Sequence, residues 1–325
     1  SSTSTSSQAS VQRVGPLGGA PTRWTLACED VDVELAGAGA GLASLRAFVA
    51  SGQVVAASDA QADGSSQRFE GARLTLRAEG DGHRGRLEGT VERRATLSAT
   101  DETLPQWIAS PTVDFVLDGV SMVSATFAPP VSARFHHRLD GRGMFEGLVA
   151  PGAPATPAAR AKTPADAPLE RVALRADAGP LTIERRSAGQ DGLTVVTLTG
   201  TEASPVVLAR STRDAGAREF GPAVKLASPR IELTMKGMLG VADAAPEKFV
   251  ATGPGTRVEI PSDEGPIVAT GRNLTFDRST WELRLDGPEG VYITKPRVWV
   301  RGRWFSYNVK TGARDVGAPS AEAAR

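Results

Sequence analysis

Stretches of this chain place an apolar residue at every second position, a spacing that confines them to extended strands with one covered face. In GRNLTFDRSTWELRLDG, Gly271 to Gly287, Leu274 and Phe276 alternate with polar residues, as do Trp281, Leu283 and Leu285. Glu282, Arg284 and Asp286 take the opposite positions, and the polar residues 277–280 supply a turn. The spacing predicts a half-buried antiparallel strand pair.

The same pattern returns along the chain. ACEDVDVELAG (Ala27 to Gly37), ASPTVDFVLDG (Ala109 to Gly119) and ASPRIELTMKG (Ala227 to Gly237) share one frame. In each, Ala is followed four residues later by Val or Ile, then an acid, then alternating apolar positions and Gly. FVASG (Phe48 to Gly52) matches FVATG (Phe249 to Gly253), and GARLTL (Gly71 to Leu76) matches GRNLTF (Gly271 to Phe276). RLEG (Arg86 to Gly89) matches RLDG (Arg284 to Gly287), and ALRADAG (Ala173 to Gly179) echoes TLRAEGDG (Thr75 to Gly82). The expectation is an all-β chain with two good copies and one degenerate copy of a strand unit, stacked so that each covers its neighbour.

The expected organisation is a disordered polar segment over 1–20, a first β module over 21–150, a second over 169–316 and a loose tail over 317–325. Between the modules, the Pro- and Ala-rich run Pro151 to Pro168 is a linker or an inserted loop. The spacing of Leu42, Leu45, Phe48 and Val49 also allows a helix, although the repeat match argues for strand at its end.

With 37 basic and 37 acidic residues, dispersed and not in blocks, the chain carries no net charge, so no global field draws it to nucleic acid or anionic membrane. Gly and Pro are frequent, 35 and 22 residues, which favours turns over long helices. Cys28 is the only cysteine, so neither an intrachain disulfide nor a Cys-based metal site is expected. The sequence opens on Ser1, and we expect an exported protein whose signal or anchor lies outside it.

Catalytic signatures are sparse. His83 falls in GDGHRG and reads as a solvated turn residue, while the adjacent His136 and His137 point to opposite faces of a strand. Asp32, Asp114 and Glu232 recur at matching repeat positions, which reads as an outward strand residue. No nucleophile elbow or phosphate loop is present. No catalytic residue, metal or cofactor is expected. In the basic tract Lys295 to Lys310, Arg alternates with Trp299, Trp304, Phe305 and Tyr307. It reads as a last strand pair with aromatics inside and Arg outside, in preference to a base-stacking groove.

The C-terminal repeat resembles the β-jellyroll repeat of the lipopolysaccharide-transport periplasmic family, the OstA-like domain. The resemblance rests on Ala269 with Leu274, Phe276 and Asp277; on Leu283, Leu285 and Gly287; and on Val300, Gly302, Phe305, Tyr307, Asn308 and Gly312. It implies a twisted, V-shaped antiparallel jellyroll in the periplasm or cell envelope whose apolar trough shields acyl chains. It implies lipopolysaccharide or a related glycolipid as ligand, and similar jellyroll domains or further copies as edge-strand partners. The groove-lining residues expected by parity are Leu274, Phe276, Trp281, Leu283, Leu285, Val291, Ile293, Val298, Val300, Phe305 and Tyr307. Their first-repeat counterparts are Val31, Val33, Leu35, Leu74, Leu76 and Leu87. A structural or adhesive β-repeat protein with a filled interior, and a β-helix enzyme acting on polysaccharide, are the alternatives.

Overall fold

A computed structural model describes residues 7–13, 22–35, 45–58, 66–80, 82–101, 104–118, 121–138, 169–186, 193–214, 216–236, 245–277, 280, 282–295, 298–308 and 313–317. The described residues form antiparallel β-strands and no helix. The architecture is all-β and jellyroll-like, with period-two burial along its strands, as in β6 (Gly82–Glu88), where His83, Gly85 and Leu87 are covered and Arg84 and Arg86 are not.

Two compact units result, one of Ser1–Arg134 with Pro180–Arg185, the other of Phe135–Gly179 with Arg186–Arg325. In the first unit one ladder pairs β3 (Asp30–Leu35), β4 (Leu45–Ser58), β5 (Ser66–Glu79), β6, β9 (Thr112–Asp118), β10 (Ser121–Phe127) and β13 (Leu181–Arg185). The other pairs β1 (Ser7–Arg13), β2 (Thr22–Cys28), β4, β5, β7 (Ala95–Asp101), β8 (Leu104–Ser110) and the start of β11 (Val131–Arg138). The long strands β4 and β5 belong to both ladders. They break register between Ser51 and Val54, where the strands bend from one ladder into the other.

The second unit repeats the plan. One ladder runs β14 (Leu193–Thr199), β17 (Arg230–Lys236), β18 (Ala245–Ile260), β19 (Ile267–Asp277), β20 (Glu282–Lys295), β21 (Val298–Asn308) and β22 (Arg314–Val316). The other runs β12 (Leu169–Ala176), β15 (Val206–Arg213), β16 (Val224–Ser228) and the far halves of β18 to β21. Register shifts at Thr252/Thr256, Thr270/Asn273 and Asp286/Val291 mark the crease in those long strands. No helix of the described residues covers the apolar faces of the two ladders, or arms, of each unit, yet the inward residues of their mid-ladder strands are buried.

Repeated sequence forms repeated corners at the crease. Cys28, Ser110 and Ser228, each buried, end a strand in one arm, and the next strand begins two residues later in the other. Gly52 and Gly253 face the first and third corners with φ of 92° and 129°, a region L side chains rarely enter. A Cβ on Gly52 would meet Glu29, and one on Gly253 would meet Pro229, which are matching positions. Return crossings also match. Gly89 N–H donates to Pro111 C=O at 2.8 Å, and Gly200 N–H donates to Pro229 C=O at 2.7 Å. In the turns that follow, Thr90 Oγ1 accepts from Arg93 N–H and Thr201 Oγ1 from Ser204 N–H, both at 3.0 Å.

Some expectations need correction. The polar N-terminal run is not structureless throughout: Ser7–Arg13 pairs along its length with β2. Backbone pairing to a free edge needs no apolar side chain, so composition alone did not reveal it. Leu45 to Val49 is strand, not helix, because its apolar residues pair across to β3 and β5. The Pro- and Ala-rich run, residues 42–44 and the C-terminal tail from 318 lie outside the described residues.

Candidate functional site: the apolar interior and its edge strands

Ladder registers bring most of the predicted lining residues onto one face. Leu274 lies opposite Leu285, Phe276 opposite Leu283, and Ala269 opposite Ile293. Phe305 lies opposite Leu285, and Val300 opposite Ile293. In the first unit Leu76 pairs with Phe48 and Leu74 with Ala50, and Leu74 also faces Leu87. Leu274, Phe276, Leu283, Leu285, Val291, Ile293, Phe305, Leu74 and Leu87 are buried, and Leu76 and Val31 are half-buried. Trp281 and the Tyr307 side chain lie outside the described residues.

Four expected lining residues share this inward face yet stay open. Val33 and Leu35 are 54% and 53% exposed, Val298 and Val300 56% and 43%. All four lie on edge segments: β3 pairs only with β4, and Val298–Gly302 pairs only with β20, among the described residues. An edge residue has a neighbour on one side only, so its inward side chain keeps part of its surface in water. The interior stripe is therefore covered in mid-ladder and open at β3 and at the first half of β21.

Inward residues outside the predicted set also line the interior. Val113, Phe115 and Phe127 in the first unit, and Leu174, Leu208 and Leu233 in the second, are buried. Val113 and Phe115 stand at alternate positions in ASPTVDFVLDG, so parity already marked them. Asp32 and Asp114 are exposed and Glu232 is half-buried on the outer face, where Arg230 lies 3.2 Å from Glu232 and Arg86 3.6 Å from Asp114.

Two polar intrusions break the apolar interior. His83 is buried in β6, not solvated in a turn, because it shares the inward parity of Leu87. Its Nε2 lies 3.1 Å from the Leu45 carbonyl, which places the proton on that nitrogen, and Nδ1 has no hydrogen-bond partner. In the second unit Glu170 and Arg210 carry the inward parity of Val172 and Leu174, and form a buried ion pair through Arg210 Nε. Glu170 Oε2 has no hydrogen-bond partner. Forty positions separate these two residues, and no local pattern announces the pair.

Corners carry the remaining buried polarity. Ser228 Oγ lies 3.0 Å from the Arg230 carbonyl, 3.1 Å from that of Thr252 and 3.0 Å from Thr256 Oγ1. Ser110 Oγ donates toward the Ala128 carbonyl at 2.6 Å or that of Thr112 at 2.8 Å. Cys28 fills the matching corner with a thiol, whose pKa burial pushes up, with the Asp30 charge adding to the rise.

Outside, the last strand pair departs from expectation. Trp299 is 70% exposed, not packed inside, because it lies opposite Thr294 on the outer face. Trp304 lies on that face too, with the Arg284 guanidinium 5.0 Å from its ring centroid. Phe305 alone of the described aromatics in this tract points inward. Comparison with known proteins finds no family model that matches the chain and no curated protein that matches it.

Proposed function

We propose that this chain is a non-catalytic cell-envelope protein that holds lipopolysaccharide or a similar amphipathic glycolipid by its acyl chains between its sheet arms. It passes that lipid along a series of similar domains. The observation that carries the reading is the inward apolar stripe, interrupted at His83 and at the ion pair of Glu170 with Arg210, and uncovered at the edge strands through Val33, Leu35, Val298 and Val300. A guest acyl chain laid along such a stripe gains about 0.8 kcal/mol per methylene removed from water. Transfer breaks no bond, so the arrangement needs no acid, base or metal.

Free edges complete the reading. The backbone of β3, and of β21 up to Gly302, lacks a strand on one side among the described residues, which suits strand addition by a similar domain or a second copy. A head-to-tail series would continue both the ladder and its apolar stripe. Mid-ladder residues are covered, so a guest enters from an edge or by parting the arms.

That same covering favours a second reading, a structural β-repeat protein with a dry interior: Leu87, Leu285 and Val291 have no solvent-exposed surface. Photo-crosslinking with labelled glycolipid separates the two. A photoreactive residue at Val300 or Leu283 should capture the lipid, and one at the outward Arg284 should not. Equal capture from Arg284, or none from any of the three, would overturn the lipid reading and leave the dry interior.

A further inference from the structure

Tyr292, Val298, Trp299 and Val300 are four of the eight large apolar side chains exposed among the described residues, and all four belong to the β20–β21 hairpin. They occupy both faces. Val298 and Val300 share the inward face of Ile293, while Trp299 and Tyr292 project outward opposite Thr294 and Arg301. Charge is one-sided here as well. From Gly290 to Asn308 the sequence has four basic residues and no acidic one, within a chain of zero net charge.

Among the described residues, Lys295, Arg301 and Arg303 form no ion pair with a carboxylate. Arg301 lies over the Tyr292 ring, 5.2 Å from its centroid, and donates to the Glu289 main-chain carbonyl at 2.8 Å. Neither partner is a carboxylate. Lys295 is exposed at the end of β20. On the outer face, which Arg301 shares and Lys295 (opposite Val298) does not, Glu259 is already held by Lys225 and Arg257, each at 3.1 Å.

We propose that this hairpin end docks on an anionic lipid bilayer. Trp299 and Tyr292 would lie at head-group depth, where amphipathic rings are favoured, and Lys295 and Arg301 would meet lipid phosphates. Apolar side chains on both faces call for an occupant that surrounds the hairpin end, whereas an added strand at the β21 edge leaves Trp299 on the outer face uncovered. The open edge of Val298–Gly302 limits the depth, since the N–H and C=O groups that face away from β20 need head groups or water. Docking would also set the open end of the Val298–Val300 stripe against the membrane; that consequence alone rests on the lipid-carrying reading.

The test uses the full chain and vesicles free of glycolipid, of phosphatidylcholine alone or mixed equally with phosphatidylglycerol. Cosedimentation is expected with the anionic vesicles, weakly with the neutral ones, and released by high salt. Trp299→Ala should lower partitioning at least about tenfold, and Lys295→Ala about fivefold. The blue shift of tryptophan emission on binding should disappear with Trp299→Ala. Both side chains are exposed, so neither change should move the urea midpoint. No sedimentation with anionic vesicles, or partitioning indifferent to Trp299→Ala, overturns the proposal. So does a dimer in vesicle-free sedimentation velocity that Trp299→Ala dissociates, because the patch is then a contact between copies. Vesicles without glycolipid leave the interior untested, so failure here and failure of glycolipid capture are separate results.

Discussion

Ser228 sets one hydroxyl among the carbonyls of Arg230 and Thr252 at the point where the chain passes between arms. Alanine there leaves desolvated acceptors, and Ser228→Ala is expected to cost about 1–3 kcal/mol, read as a lower urea midpoint at unchanged slope. Cys28→Ser, at the matching corner, should cost less than about 1 kcal/mol, since it supplies the group the other corners use. The Cys28 thiol has its pKa raised by burial and then by Asp30, so the folded chain keeps a proton that the unfolded chain loses. That contribution is complete below the unfolded pKa and disappears as pH rises through the folded one. Alkylation by iodoacetamide followed against pH should lag that of a free cysteine peptide near pH 8–9 and match it in denaturant. Removing one member of the inward ion pair is more severe: Glu170→Ala should cost about 3–5 kcal/mol, and Glu170→Leu with Arg210→Met should recover most of it in calorimetry. The corner serines were visible in the repeats, but their role was not, because a hydroxyl's partners are set by the third dimension. Glu170 and Arg210 left no trace in periodicity at all.

Among the elements, the strands of the first and third repeats were legible because alternation and turn residues agree over many positions. Their pairing repeats as well: FVASG lies against GARLTL as FVATG lies against GRNLTF, with Ala50 opposite Leu74 and Ala251 opposite Leu274. Gly71 and Gly271 explain why the sequence keeps glycine at the crease. A Cβ would come within 2.7 Å of Leu87 Cδ1 in one and 2.9 Å of Leu285 Cγ in the other. Gly271→Ala should therefore cost about 1–3 kcal/mol, and a double-mutant cycle with Leu285→Ala should show coupling, because the smaller residue removes the collision. Where both alternating sets are apolar, parity cannot choose a face. Val298 and Val300 alternate with Trp299, and only pairing to Ile293 and Thr294 shows which set turns inward. His83 was misread for a related reason: the glycines around it suggest a turn, but Gly82 already begins β6 and carries His83 into the inward series.

At the scale of the molecule, a ligand that fits the interior must stabilise the folded chain by mass action. Glycolipid at about a hundred times its dissociation constant should add about 2.7 kcal/mol, seen as a melting temperature that climbs with glycolipid concentration; an unchanged temperature would argue for the dry interior. The long strands β4, β5 and β18 to β21 have a further mechanical meaning. Each is shared by both arms of its unit, so sliding by one residue in either arm would invert inside and outside in the other as well. Shear is thereby forbidden, while rotation about the glycine-lined fold remains soft. Widening should proceed like a book opening on its spine, with pages intact, and deuterium should enter amides beside Gly253 and Gly290 long before those beside Leu274 and Leu285.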